Sequence, residues 1–507
     1  MGTNSVNIEQ LTNQAIVNWN SFSIGAQEAV RFLQPNQMAV ILNRVTGGDP
    51  SQILGQLQAN GNVFVVNPAG ITVGAGARVD VGGLVLSTLG ITDENFLSGN
   101  YTFEQDPNQA LASIVNQGTI KISDGGYAIL TAPLISNEGL IVANLGKVVL
   151  AGGEKTTLNF DGRNLINYEL AGITGDAGTV VMPRESVSAV LTDMLGIRDR
   201  AKGLIQREDG SFALEGASGT VYQAGTIRAD GAEGQEAGVI AIDSARLTVL
   251  GEDSVTAADG VGADSSGGVV YALSNRGRNG DTGGLIVGQE GSLLSSVGGE
   301  TGDGGFIEFS GEKFDFASSV QTASFLLDPR DIFIIDGAGN TIDGNNDQTI
   351  GDAVLEAITA QVITLQADRD IIFNINGQAG GGDNDLNLFT NNNNSNKPIT
   401  SNVESNNHLV LIAGGDVNFG DDLVITQAID ILAGLDAVAQ GRSGNVTGGV
   451  IRANDIDIGI DARGGENPAF DGAPAGSGLA RTSTSSSNYR NNIVAVGGNL
   501  SNRSIRR

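Results

Sequence analysis

A short apolar run opened by a glycine returns about every 21 residues, and this return constrains the fold more than any other feature of the chain. Asn116-Gln117-Gly118-Thr119-Ile120 is answered at a shift of 21 by Asn137-Glu138-Gly139-Leu140-Ile141. Gly203-Leu204-Ile205 is answered at a shift of 22 by Gly225-Thr226-Ile227. Gly238-Val239-Ile240, Gly268-Val269-Val270, Gly284-Leu285-Ile286 and Gly305-Phe306-Ile307 continue the pattern at irregular spacing, which implies loops of varying length between short strands. A strand of four or five residues buries too little apolar surface to stand alone, so units of this size must stack and share one core. The predicted fold is all-β: a right-handed parallel β-helix, or solenoid, with an N-terminal cap and extra-helical insertions.

Composition agrees. The 74 glycines run through the whole length, against 10 prolines, as a turn needed once per strand requires. Aromatic residues make up only 5%, too few for the cores of several globular domains but enough for a narrow interior lined by Val, Ile, Leu and Ala ladders. A net charge of −29 argues against nucleic acid and anionic membrane surfaces as partners. The absence of cysteine suits a chain that crosses an oxidising periplasm unfolded. No apolar run reaches the ~18 residues of a spanning helix, so no transmembrane segment is predicted. The start, Met1-Gly2-Thr3-Asn4, lacks the basic and apolar regions of a signal peptide, and we expect the sequence to begin after a cleaved one and to end within a longer protein.

Three stretches break the pattern. Val187, Val190, Leu191 and Leu195 fall at helical spacing and predict a short helix over 185–195 packed on the body. Residues 374–407, with Ala379-Gly380-Gly381-Gly382 and the run Asn391 to Asn394, read as an exposed loop or insertion, and Thr482 to Ser487 as another loop.

Residues 14–95 carry a spaced set of elements: Ile16-Val17-Asn18-Trp19 with Phe22 and Ile24, Ile41-Leu42-Asn43-Arg44-Val45-Thr46, Ile53-Leu54-Gly55, Gly61-Asn62-Val63-Phe64-Val65-Val66-Asn67-Pro68-Ala69-Gly70-Ile71, then Gly83-Leu84 and Ser87-Thr88. In that order they resemble the secretion domain of two-partner secretion exoproteins of the filamentous haemagglutinin and high-molecular-weight adhesin type. Ser324-Phe325-Leu326-Leu327-Asp328-Pro329 resembles a Leu-Leu-Asp-Pro segment of the same adhesins. One departure is that Ala69 stands where the family often has a second Asn. The resemblance implies export through an outer-membrane β-barrel transporter whose periplasmic domains bind the unfolded N-terminal segment. It implies a recognition motif of Asn43, Arg44 and Val45 with Asn67, Pro68, Ala69, Gly70 and Ile71. Apart from any resemblance, Asn67-Pro68-Ala69-Gly70 is a turn, with Pro at its second position and Gly free to take positive φ. Trp19 and Phe22 are expected to anchor the core of the cap. The domain reading is 1–100 as secretion domain, cap and first rungs, 101–334 as β-helix body with the short helix near 185–195, and 335–507 as continuing β-helix or a second β-rich segment with Asn/Gly-rich loops.

Little points to catalysis. His408 is the single histidine, which rules out a two-histidine metal site, and no nucleophile-elbow motif is present. It is expected at the surface beside a strand. Asp336-Gly337-Ala338-Gly339-Asn340 and Asp343-Gly344-Asn345-Asn346-Asp347 could offer oxygen ligands to calcium but match no EF-hand or nonapeptide array and are first of all turn formers. Asn-x-Ser/Thr sequons stand at Asn100, Asn393, Asn445, Asn499 and Asn502. We therefore expect a non-enzymatic protein without cofactor or metal, secreted or held at the surface of a Gram-negative bacterium by way of the periplasm. Its expected role is that of an adhesin attaching to host cells, glycans or biofilm matrix. The alternatives are a β-helix polysaccharide-processing enzyme, and a toxin-delivery or haem-acquisition exoprotein sharing the secretion module.

Overall fold

The computed structural model describes residues 4–161, 164–171, 178–182, 203–207, 211–275, 283–335, 349–351, 354–355, 357–373 and strands lying between 385 and 484. The chain divides into two compact units, Met1–Ile307 and Glu308–Arg507.

In the first unit consecutive strands visit three sheets in turn. Thr119–Ile122 lies in the first sheet, Tyr127–Ala132 in the second and Leu134–Asn137 in the third; Leu140–Val142 and Lys147–Gly152 then return to the first and second. Every strand of this path pairs in parallel with the strand one turn away, so that Ile120 sits against Ile141 and Ile141 against Ile227. This is a parallel β-helix, and the alternation of side chains along each strand explains its core. Leu84, Ala128, Val148, Ile240 and Val270 stack inward as one ladder and are buried. The repeat seen in the sequence is this ladder: Asn116 meets Asn137 in register, 21 residues on.

The glycines of the repeat stand in columns at the corners. A Cβ on Gly126 would fall inside hydrogen-bond distance of the Gly82 carbonyl oxygen, one on Gly146 would meet Gly126, and one on Gly238 would meet Gly146. Only a residue without a side chain lets successive turns approach this closely. Not every glycine of the pattern belongs to one column. Gly284 precedes Leu285, which pairs with Leu247 in the third sheet, whereas Gly238, Gly268 and Gly305 stack at the entry to the second. The expected partnership of Gly203 with Gly225 is wrong: Gly203–Gln206 runs antiparallel to Phe212–Glu215 outside the helix path, while Thr226–Arg228 is a rung of the first sheet. Local sequence resembles a rung there because any short apolar strand after a glycine does.

Two antiparallel insertions lie on the body. One joins helix α1 (Asp93–Ser98) to strands Tyr101–Glu104, Lys155–Asp161 and Asn164–Leu170, and packs on the outer face of the second sheet. The other pairs Phe212–Glu215 with both Gly203–Gln206 and Val180–Met182, and joins the third sheet where Val180–Met182 runs beside Leu111–Asn116. Extra-helical insertions were expected from the sequence, but their position and antiparallel pairing were not. The helix predicted over 185–195 lies outside the described residues, as do the two Asp/Gly clusters between 336 and 347.

The second unit repeats the same principle. Ser324–Leu327, Val362–Ala367, His408–Ala413, Ala428–Ala433 and Asp455–Ile460 form one parallel ladder, and Ile332–Ile335, Ile371–Phe373, Val417–Phe419 and Val446–Gly448 another. His408 opens its strand, in register with Val362. Two predicted loops are corrected. Asp385–Leu388, within the 374–407 stretch, is a strand parallel to Asp422–Ile425, while 374–384 and 389–407 lie outside the described residues. Thr482 to Thr484 belong to Ala480–Thr484, a strand antiparallel to Asp455–Ile460. At 385–388 Asp and Asn masked the alternation of Leu386 and Leu388, and at 480–484 no apolar alternation marks the strand; in both places pairing with a neighbouring rung decides.

Candidate transporter-recognition site

The two segments expected to form a recognition motif lie close together on adjacent rungs, 43–45 in a strand of the second sheet and 67–71 in the turn that leaves this sheet and at the start of a strand of the third. Val40–Val45 pairs in parallel with Gln14–Trp19 on one side and Asn62–Val66 on the other. Asn43 points into the helix and is fully buried. Its side-chain oxygen accepts a 3.0 Å bond from Trp19 Nε1, and its amide donates to the Phe64 carbonyl at 3.3 Å, so one side chain ties three successive rungs together. Trp19 is half-buried and stacks edge-on against buried Phe22, with ring centroids 5.7 Å apart.

Asn67 is also fully buried, at the turn out of the same sheet. Its amide donates to the Asp49 carbonyl (3.0 Å) and to Ser51 Oγ (2.9 Å), and its oxygen accepts from the Ala69 backbone N–H (2.9 Å). The Gly70 N–H returns to the Asn67 carbonyl at 3.1 Å, and Gly70 takes φ 120°. The turn read from the sequence is therefore present, closed both by the backbone and by the Asn side chain. Ala69 contributes its backbone N–H to this arrangement, a bond any residue but proline supplies, so loss of the family's second Asn leaves the turn intact. Pro68 and Ala69 are half-exposed, whereas Val45 and Ile71 join the core.

Arg44 faces outward and fastens a different element. It forms an ion pair with Asp93 Oδ1 (2.6 Å) at the first turn of α1 and donates to the Ile91 carbonyl (2.8 Å) and to Asn18 Oδ1 (3.2 Å). The Asp93 side chain is 59% exposed, so the ion pair is screened and contributes little by itself; the bond to Ile91 does more to set the position of the helix. The start of α1 is built from Thr92, whose hydroxyl accepts from the Asn95 N–H, and its end from Gly99 at φ 78°. Those caps were legible in Thr92-Asp93-Glu94-Asn95 and Gly99 but were masked by the strand pattern around them.

Over the second sheet the insertion builds an aromatic cluster that sequence reasoning missed. Phe64 meets Phe96 at 5.8 Å and Tyr101 at 5.4 Å, and Tyr101 meets Phe160 at 5.3 Å. Burial pushes the Tyr101 hydroxyl above the ordinary tyrosine range, against a smaller lowering by its bond with Gln14. The available signal was that Phe96, Tyr101, Phe103, Phe160 and Tyr168 are concentrated between rungs in a chain otherwise poor in aromatics.

Further along, buried polar side chains lock register in the same way. Asn116 donates to Asn137 (2.7 Å) and Asn137 to Gln223 (2.6 Å) across three rungs of the third sheet. In the second unit, buried Asp331 accepts from Arg330 (3.3 Å) and pairs with Arg369, just after Leu326-Leu327-Asp328-Pro329. Among the described residues no group of three His, Cys, Asp or Glu side chains could hold a metal ion, and no helix is long and apolar enough to cross a membrane.

The arrangement bears on recognition. In the folded chain Asn43 and Asn67 present nothing to a partner, so a transporter can read these side chains only before the rungs close. The same residues then serve the fold.

Comparison with known proteins places this geometry. The TPS secretion domain family matches residues 1–229. Two haem/hemopexin-binding proteins of Haemophilus influenzae are similar: the one from strain Rd is 37% identical over 161 residues, 30% of this chain and 18% of the relative, and the second is 43% identical over 96 residues, 19% and 10% respectively. The matched segments thus span less than a fifth of either relative. Among solved structures, the HMW1 secretion domain from Haemophilus influenzae aligns over 83% of this chain and 91% of that one, with 20% identity and a TM-score of 0.38. Residues 1–229, on the first rungs of a parallel β-helix, match the TPS secretion domain, the N-terminal region of two-partner secretion exoproteins, a family exported across the outer membrane of Gram-negative bacteria.

Proposed function

We propose that the exported protein works by binding rather than by catalysis, as an adhesin whose β-helical body is displayed outside the cell for attachment to host cells, glycans or biofilm matrix. The observation that carries this reading is the continuation of the ladder beyond the matched region: rungs at Val239–Ser244 and Val269–Ser274 extend the same sheets past residue 229. A stack of this kind offers a long surface of regularly spaced side chains, suited to an extended ligand. In the unfolded chain the secretion motif addresses the transporter's periplasmic domains; in the folded chain its buried asparagines hold the first rungs in register.

A second reading, haem acquisition, is favoured by the relatives, two haem/hemopexin-binding proteins. With a single histidine in the chain, capture of the carrier protein fits this sequence better than repeated ligation of haem iron. One experiment separates the two. The secreted full chain, labelled and incubated with host cells with or without excess hemopexin, should bind saturably and without competition if it is an adhesin. Direct capture of hemopexin with no cell binding would instead establish the carrier reading.

A further inference from the structure

Asn4–Glu9 is the first strand of the first sheet and Gln14–Trp19 the first of the second, and among the described residues no strand pairs with the outer edge of either. The bonds these strands do make show which backbone groups are left over. The N–H groups of Asn4 and Gln10 donate to the Gln27 and Leu33 carbonyls at 3.3 and 2.9 Å, so Ser5, Asn7 and Glu9 turn their backbone groups away from the next rung. In the second sheet the Asn13 and Trp19 carbonyls accept from Val40 and Thr46 at 2.8 Å, which leaves Gln14, Ile16 and Asn18 facing away. Neither strand carries the proline, lysine or bulge that ordinarily blunts an edge.

The core is open at the same place. Val6 heads the inward column of Val30, Leu57 and Val79 and is 57% exposed, whereas Leu57 and Val79 are buried. Ala15 heads the column of Ile41, Val63 and Leu84 and is half-buried where those three are fully so. Leu11, in the turn between the first two strands, is 81% exposed, and Met38, in the corresponding turn of the next rung, 51%. A 2.8 Å bond from Asn36 Nδ2 to Asn13 Oδ1 holds the two turns together, so these side chains form one apolar patch with the open columns. Residues 1–60 set Arg31 and Arg44 against Glu9, Glu28 and Asp49, a net charge of −1 in a chain of −29. The repulsion that keeps acidic bodies apart is nearly absent at this end.

A partner that fits must bring a strand for the free edge and apolar surface for the open columns, and a second copy of the chain brings both. We propose that two copies join through these ends across a twofold axis, with Asn4–Glu9 antiparallel to its counterpart and centred on Asn7. Ser5 then faces Glu9 of the partner subunit, and Val6, Leu11 and Met38 of each copy cover the open columns of the other. Such an interface is isologous and closes at two copies. It is independent of what the body binds, and it gives each assembly two bodies, so an extended ligand is held by avidity.

The full chain, followed by sedimentation equilibrium, should show a concentration-dependent monomer–dimer equilibrium. Leu11→Lys with Met38→Lys alters only exposed side chains and should raise the dimer Kd at least about tenfold. Asn7→Pro removes a free-edge N–H and no bond to the next rung, and should do the same. Val261→Lys, which replaces a comparably exposed apolar side chain far along the chain, should leave the Kd unchanged. A dimer that the double lysine variant leaves intact, or that Val261→Lys weakens equally, overturns the proposal, even if Asn7→Pro fails to fold. A chain that is monomeric at every concentration also overturns it, and slow hydrogen exchange at Ser5, Asn7 and Glu9 in that monomer would assign the edge to a covering segment of the same chain.

Discussion

Single side chains in this protein act across rungs rather than within them. Asn67 makes three bonds from a fully buried position, and its replacement leaves a backbone N–H and a carbonyl without partners. Asn67→Ala should lower stability by about 1–3 kcal/mol, measured as a shift of the urea midpoint. Asn116→Ala, at a comparable buried ladder position in another sheet, should do the same. Export separates them: if Asn67 is also read by the transporter, its variant loses secretion far beyond that of Asn116→Ala at equal stability, and parallel losses would reduce the motif to a structural role. Asn43 likewise stitches neighbouring turns, so its replacement should also cost stability. Glycines make the same point. Gly126→Ala drives a Cβ into the Gly82 carbonyl and should cost about 1–3 kcal/mol or more, whereas Gly125→Ala, with open space but φ 75°, should cost about 1–2 kcal/mol. A thermal melt of Gly126→Ala unchanged from that of the unaltered chain would mean that the close stacking of corners is unimportant.

At the scale of elements, strands of the helix path were legible wherever a repeat put apolar residues in register, as at Ile120, Ile141 and Ile227. The insertions were not, because a strand that pairs antiparallel outside the path has the same local composition as a rung; Gly203-Leu204-Ile205 is the clearest case. The turn at 67–70 was readable in the sequence, but the burial of Asn43 and Asn67 was not, since inward or outward placement depends on the rung each strand joins. The cover over the second sheet supplies a pH test. Tyr101 holds its proton more tightly when folded than when unfolded, so it contributes stability that is fully present below the ordinary tyrosine range and is lost as pH rises through the folded value. Hydrogen exchange at Tyr101–Glu104 should therefore accelerate above about pH 10 in the unaltered chain. Tyr101→Phe should remove the ionisation-linked part of that rise, and an identical rise in the variant would assign it to other groups.

For the molecule as a whole, one physical device recurs at every stage: a short strand is stable only once its neighbour is in place. In the proposed export, that dependence lets the chain remain extended while a transporter holds its beginning, and lets each added rung retain what has already emerged. It also explains why cysteines are dispensable, because stability accrues from stacked rungs and buried amide ladders rather than from crosslinks. The central claim is that residues 1–229 direct export through the partner transporter, and it is tested most directly by following release of the chain from a Gram-negative host, with and without those residues and with and without the co-expressed partner. The account predicts release only when both are present; release of the chain lacking residues 1–229, or release without the partner, would contradict it.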